Sequence, residues 1–262
     1  MKTTLLGLSA AAVLVASPAA TAPSPALKAA VSAPSRTAAN VARDRHRNPA
    51  ATLSFFGVKS TDTVVELYPG GGWYSEILAP FLNRRGTYWV AAPERGLTGF
   101  RKLVTASPTV YTKAKTAPFP ITQGTPGVPA ASADVVLTFR NVHNWAMGDK
   151  PFADEAFRQI FKMLKPGGVL GIEEHRLPET ADPALEKSSG YMKVSTVRRL
   201  AEQAGFRFAG SSEVNANPRD KADYPTGVWT LPPTLRLGDK DRARYVAIGE
   251  SDRMTLKFVK PR

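Results

Sequence analysis

From Thr63 onward the hydrophobic positions switch between two periods. The run "TVVELY", 63–68, is apolar except for Glu66 and predicts a strand buried on both faces. After three glycines, Tyr74, Ile77, Leu78, Phe81 and Leu82 recur at i, i+3, i+4, i+7 and i+8, one apolar face of a helix. "GTYWVAA" and "ADVVLTFRN" predict further strands, and Val169 to Ile172 another. Between the last two, Phe152, Ala156, Phe157, Ile160, Phe161 and Leu164 mark a strongly periodic helix that Lys165-Pro166-Gly167-Gly168 should end. Ser195 can cap a helix carrying Val197, Leu200, Ala201 and Ala204 and stopped by Gly205, and "FRFAGSSEV" and "MTLKFVK" read as closing strands. Strands alternating with helices predict an α/β fold with a parallel sheet. Residues 215–249 are proline-rich and show no period.

The N-terminal 40 residues read differently. Lys2, the apolar stretch Leu5 to Ala16 and the small residues Ala20-Thr21-Ala22 form an export signal over 1–22, which implies a periplasmic or secreted protein. The stretch 23–40 is rich in Ala, Pro and Ser and reads as a flexible leader, so the folded domain is expected over 41–262. No later stretch has the roughly 20 apolar residues of a membrane span.

Composition narrows the chemistry. The absence of cysteine excludes disulfides, thiolate catalysis and cysteine-ligated metals. The net charge of +13 is spread along the chain, without the basic stripe and interleaved aromatics of a nucleic-acid groove. No nucleic-acid partner is therefore expected, and a polyanion-binding surface ranks third among the readings. "GWYSE" is not G-x-S-x-G and its Ser75 falls inside a predicted helix, so a serine nucleophile is not expected.

A strand running through Gly70, Gly71 and Gly72 into a helix is the geometry that brings backbone N–H groups close to a ligand. "VVELYPGGG" resembles the first motif of class I S-adenosylmethionine-dependent methyltransferases. "DVVLTFRNVHNW" and "FKMLKPGGVLGIEEHR" resemble the fourth strand, following helix and fifth strand of that superfamily, in order. Together the segments look like a group of exported bacterial predicted methyltransferases. The resemblance implies a Rossmann-like fold with a mostly parallel seven-stranded sheet, helices on both faces, S-adenosylmethionine as cofactor and a small-molecule acceptor.

It further implies that Glu66, Gly70 and Gly72, with Gly71, line the methionine end of the cofactor, and that Phe139, Asn141 and His143 face the transferred methyl. The pattern departs at Tyr68, which replaces a glycine, and at Ala92, where an acidic residue should hold the ribose; Glu94 is the substitute. No Asp or Glu occurs between Arg95 and Ala133 to meet the adenine. Tyr68, Trp73 and Tyr74 either pack the first helix or wall the sulfonium.

His143 and His175 follow neighbouring strands and should lie close together, beside Glu66, Glu173 and Glu174. Three roles stay open for them: general base, metal ligands, or hydrogen-bonded residues that shape the cleft. Two functions follow. One is methyl transfer by in-line displacement, with His143 or His175 as base, assisted by Asn141. The other is an exported binding protein or differently active enzyme on the same fold, without S-adenosylmethionine.

Overall fold

The computed structural model describes residues 22–122 and 125–262. The export signal expected over 1–22 lies, apart from Ala22, outside them.

Seven strands form one sheet: β1 Thr63–Leu67, β2 Thr87–Ala91, β3 Ala114–Ala117, β4 Ala133–Phe139, β5 Leu164–His175, β6 Arg207–Ser212 and β7 Arg253–Val259. Their order is β3-β2-β1-β4-β5-β7-β6. β1 to β5 pair in parallel, whereas β7 runs antiparallel to both β5 and β6. The sheet is thus mixed rather than parallel throughout. Lys165 to Gly168 do not follow the helix as a separate stop; they form a bulge at the start of β5, where Ala133 pairs Leu164 but Val135 pairs Val169.

Helices cover both faces. On one, α1 Pro25–Val31, α2 Ala38–Val41, α3 Asp44–Arg47, α4 Pro49–Phe56, α5 Ser75–Leu82, α6 Thr98–Ala106 and α7 Pro108–Tyr111 precede or surround β1 to β3. After β4 come α8 Val142–Ala146 and α9 Ala153–Met163, then α10 Val194–Gln203 and α11 Arg242–Ile248. Alternation along β1 feeds both layers: Val65 and Leu67 enter the core beneath α9 and α10, while Val64 enters the core beneath α1, α4 and α5. Glu66 shares the face of Val64, a carboxylate placed beneath the first turn of α5.

The leader expected over 23–40 is corrected in part. Ser24 caps α1 by accepting the Leu27 N–H at 3.2 Å, and Leu27 and Ala30 are buried in the core beneath α5. Two apolar residues three positions apart were enough to dock an alanine-rich helix whose composition resembles a linker. Asn48, with φ 41°, separates α3 from α4, and Pro49 then opens α4 at a position where its missing N–H costs nothing. Among the described residues no helix is long and apolar enough to cross a membrane.

Candidate functional site

The carboxyl ends of β1, β4 and β5 open into a cavity of about 380 Å³. The segment between β6 and β7 covers it with Val228, Trp229, Pro232 and Pro233, and Arg43, just before α3, and Arg47, within it, join the lining. Glu66, Tyr68, Gly70, Gly71, Trp73, Phe139, Asn141, His143 and His175, all expected at a site, line it; Gly72 and Glu94 do not.

The glycines divide the work. A Cβ on Gly70 or Gly71 would meet nothing within 4 Å, so both leave the cavity floor open. On Gly72, with φ 81°, it would lie 2.2 Å from Leu103 Cδ1 of α6. α6 itself sits on the loop, because a Cβ on Gly99 would lie 2.1 Å from the Gly70 carbonyl oxygen. The bare backbone therefore serves helix packing as well as ligand approach.

Glu66 is 2% exposed and accepts from Ser75 Oγ at 2.7 Å and from the Tyr88 hydroxyl. Burial raises its pKa to about 7, against the lowering by those two hydroxyls. Because the folded value lies above the unfolded one, its contribution to stability is complete below pH 4.5 and is lost as pH rises through 7. Glu66→Gln is expected to flatten the stability profile across that window, as measured by thermal unfolding at fixed ionic strength; an unchanged profile would refute the assignment.

His143 is 3% exposed. Glu174, fully buried, accepts its Nδ1–H at 2.8 Å, its backbone N–H at 3.2 Å and the His175 backbone N–H at 2.8 Å. A carboxylate already accepting from two backbone donors takes the imidazole proton as a third, which fixes the tautomer and leaves the lone pair on Nε2. His175, whose ring centre is 5.3 Å from that of His143, pairs through Nδ1 with Ser251 Oγ at 2.5 Å. Burial pushes its pKa well below 6.5, helped by His143, Arg140, Arg253 and Arg47, so it stays neutral.

His143, Glu174 and His175 have ligand-type atoms within 4.8 Å of one another, a spacing that suits a metal ion. Two facts oppose that use. The Glu174 oxygens are committed to three N–H donors, and the arginines that depress His175 would repel a divalent cation through the same field.

Asn141 spends its amide N–H groups on the Leu67 carbonyl and Thr138 Oγ1, both at 3.2 Å, tying β1 to β4. Only its oxygen is left for a ligand. Phe139 stacks on Tyr74 at 3.5 Å and 12°, and the Tyr74 hydroxyl donates to Glu173 at 3.1 Å. Trp73 Nε1 donates to the Asn40 carbonyl at 2.9 Å, with the Arg47 guanidinium 4.8 Å from its ring. Trp73 and Tyr74 are thus buried packing residues that also show an edge to the cavity.

The nucleoside end of the resembled site looks different. Ala92 is fully buried, and Glu94 is exposed and paired with Arg101, away from the cavity. Tyr68, held at φ 49°, packs 6.0 Å from both Phe119 and Trp145, over the ends of β2 and β3. No residue between Ala92 and Thr122 lines the cavity.

The sequence reading missed the arginine wall. Glu250 accepts from Arg43 Nε at 2.7 Å, Arg47 Nε at 3.1 Å and Arg253 Nη1 at 3.1 Å. Burial would raise the Glu250 pKa, but Arg47, Arg253 and Arg43 hold it at about 2. Arg43 and Arg47 stand at i, i+4 in "VARDRHRN", a spacing that signals one helix face; nothing near Glu250 in sequence announces its role. Arg176 lies elsewhere, paired with Asp252 and Glu213 at 2.8 Å.

The architecture matches solved structures across most of its length. A SAM-dependent methyltransferase from Aquifex aeolicus superposes with a TM-score of 0.56 at 15% identity, covering 84% of this chain and 93% of that one. This chain has the class I methyltransferase fold. An arsenic(III) S-adenosylmethionine methyltransferase from Chlamydomonas reinhardtii gives 0.52 at 14% identity, with 92% and 75% covered. The [4+2]-cyclase SpnF gives 0.56 at 14% identity, with 81% of each chain covered. No protein-family model and no curated protein matches the sequence. The methyltransferase fold in this set thus carries both methyl transfer and a cyclisation, so the site must decide the chemistry.

Proposed function

We propose that the chain is an enzyme that takes a proton from a small molecule bound at the carboxyl ends of β1, β4 and β5, with His143 as the base. We further propose that it works without S-adenosylmethionine held in the manner of the family it resembles. The observation that carries the reading is the Glu174-fixed imidazole at the cavity wall. The free Nε2 lone pair can accept a proton, and Glu174, hydrogen-bonded to Nδ1, stabilises the imidazolium that forms. Asn141 offers a carbonyl oxygen beside it, and the Tyr74–Phe139 stack keeps the floor apolar. The export signal expected over 1–22 supports placing this work in the periplasm or the exterior.

The methionine half of S-adenosylmethionine fits the open face of Gly70 and Gly71. The nucleoside half does not, because Tyr68 packs over that end, Ala92 has no carboxylate and the Glu94 carboxylate is paired with Arg101 away from the cavity. A second reading, S-adenosylmethionine-dependent methyl transfer to an acceptor deprotonated by His143, is favoured by those same two glycines. It requires Tyr68 to swing out.

Calorimetric titration of residues 23–262 with S-adenosylmethionine and S-adenosylhomocysteine separates the two. The wild type is expected to show no binding. Tyr68→Gly, which puts a glycine at a positive-φ position and clears the ring from that end, is expected to bind measurably. Micromolar binding by the wild type would sink the first reading and establish the second.

A further inference from the structure

The wall beside His143 holds more guanidinium groups than carboxylates paired with them. At ion-pair distance Arg43, Arg47 and Arg253 meet Glu173 and Glu250, while Arg140 feels Glu173, Glu250 and Glu66 only through the longer-range field. Glu250 is shared by Arg43, Arg47 and Arg253, and Arg253 Nη1 also lies 3.1 Å from Glu173. Arg140 is left over: its Nε is buried without a partner, and among the described residues no carboxylate reaches ion-pair distance of its guanidinium. Arg43 Nη2 is a second buried donor with nothing to bind.

The backbone places this group deliberately. Arg140 sits at φ 61°, a conformation that costs a non-glycine residue about 1 kcal/mol or more, with its N–H donated to the Glu173 carbonyl at 2.6 Å. Burial lowers its pKa, and Arg253 and Arg43 lower it further, while Glu173 and Glu250 act against them. A partly buried guanidinium among other guanidinium groups is destabilising unless something negative arrives.

We propose that the cavity takes an organic carboxylate or phosphate monoester, its anionic group held by Arg140 with Arg43 and Arg47 and its body against Trp229, Pro232 and Pro233. The planar guanidinium fork matches both oxyanions, and the cavity of about 380 Å³ is at the small end of ligand sites, which suits a single small molecule rather than a polymer. The inference rests on the assignment of this cavity as the substrate site and names its substrate class.

The test is thermal unfolding and calorimetry of residues 23–262 with benzoate, phenyl phosphate, neutral benzamide and S-adenosylmethionine, for the wild type, Arg140→Met and the surface control Arg101→Met. Benzoate or phenyl phosphate is expected to raise the wild-type Tm and benzamide to leave it unmoved. Arg140→Met should weaken the anion by about tenfold or more, the worth of a charged hydrogen bond, and Arg101→Met should not. Without ligand, Arg140→Met should itself raise the Tm, since it removes an unpaired charge; a structural role would lower it. An anion response that survives Arg140→Met, or benzamide binding as well as benzoate, would overturn the proposal. So would S-adenosylmethionine alone among all probes raising the wild-type Tm, since the anion held would then be the cofactor's own. Failure of the proton-transfer reading alone would leave the anion response intact.

Discussion

Arg253→Ala is expected to lower the unfolding free energy by about 3–5 kcal/mol, the usual cost of removing one partner from a buried ion pair. Arg253 is 1% exposed, and its Nη1 lies 3.1 Å from both Glu173 and Glu250 while Nη2 donates to the His46 carbonyl. The loss falls unevenly. Glu250 keeps Arg43 and Arg47, but Glu173, fully buried, is left with the Tyr74 hydroxyl alone. Urea unfolding with an unchanged m-value is the measurement, and a loss below about 1 kcal/mol would show that the cluster is redundant. Acid adds a second reading of the same contact. The folded pKa of Glu250 is depressed to about 2, so its contribution is present above pH 4.5 and lost as pH falls through 2. In Arg253→Ala, where the folded value is less depressed, the acid loss should be smaller and be complete at higher pH.

Gly72→Ala is expected to cost about 3 kcal/mol, combining a positive φ for a residue with a Cβ and a clash with Leu103. Gly71→Ala, one position away, should change stability by less than about 0.5 kcal/mol, because its added methyl enters open cavity. The pair separates two reasons for a glycine that the sequence presents as one run. Equal losses in both variants would mean that the loop is strained throughout rather than pressed at Gly72 by α6.

Periodicity carried most of the fold. β1, β2, β4 and α9 stand where continuous or 3.6-spaced apolar runs placed them, because both strand faces and one helix face had to be buried. β3, "AKTA", escaped notice, since an edge strand with two exposed residues leaves almost no apolar signal. α1 was hidden for the opposite reason: alanine packs well on α5 yet reads as linker composition. At the site, His143 and His175 were brought together as their positions after neighbouring strands implied. Glu94 was misplaced because sequence distance from Ala92 says nothing about a helical turn that points it outward to Arg101. The arginine wall joins residues more than 200 positions apart, such as Arg43 and Glu250, and no local pattern encodes such a pairing.

That same long reach sets the order in which the protein can become competent. Arg43 and Arg47 are synthesised early, and their counter-ion arrives only with Glu250, 207 and 203 residues later. Until then the two arginines are a bare basic patch with no counter-ion to gather them. A chain interrupted before Glu250, or clipped there by a protease, would keep its glycine loop, both histidines and these two arginines and lack the carboxylate that gathers Arg43 and Arg47. Competence therefore comes with the closing strand, which makes the C-terminal tail its gatekeeper.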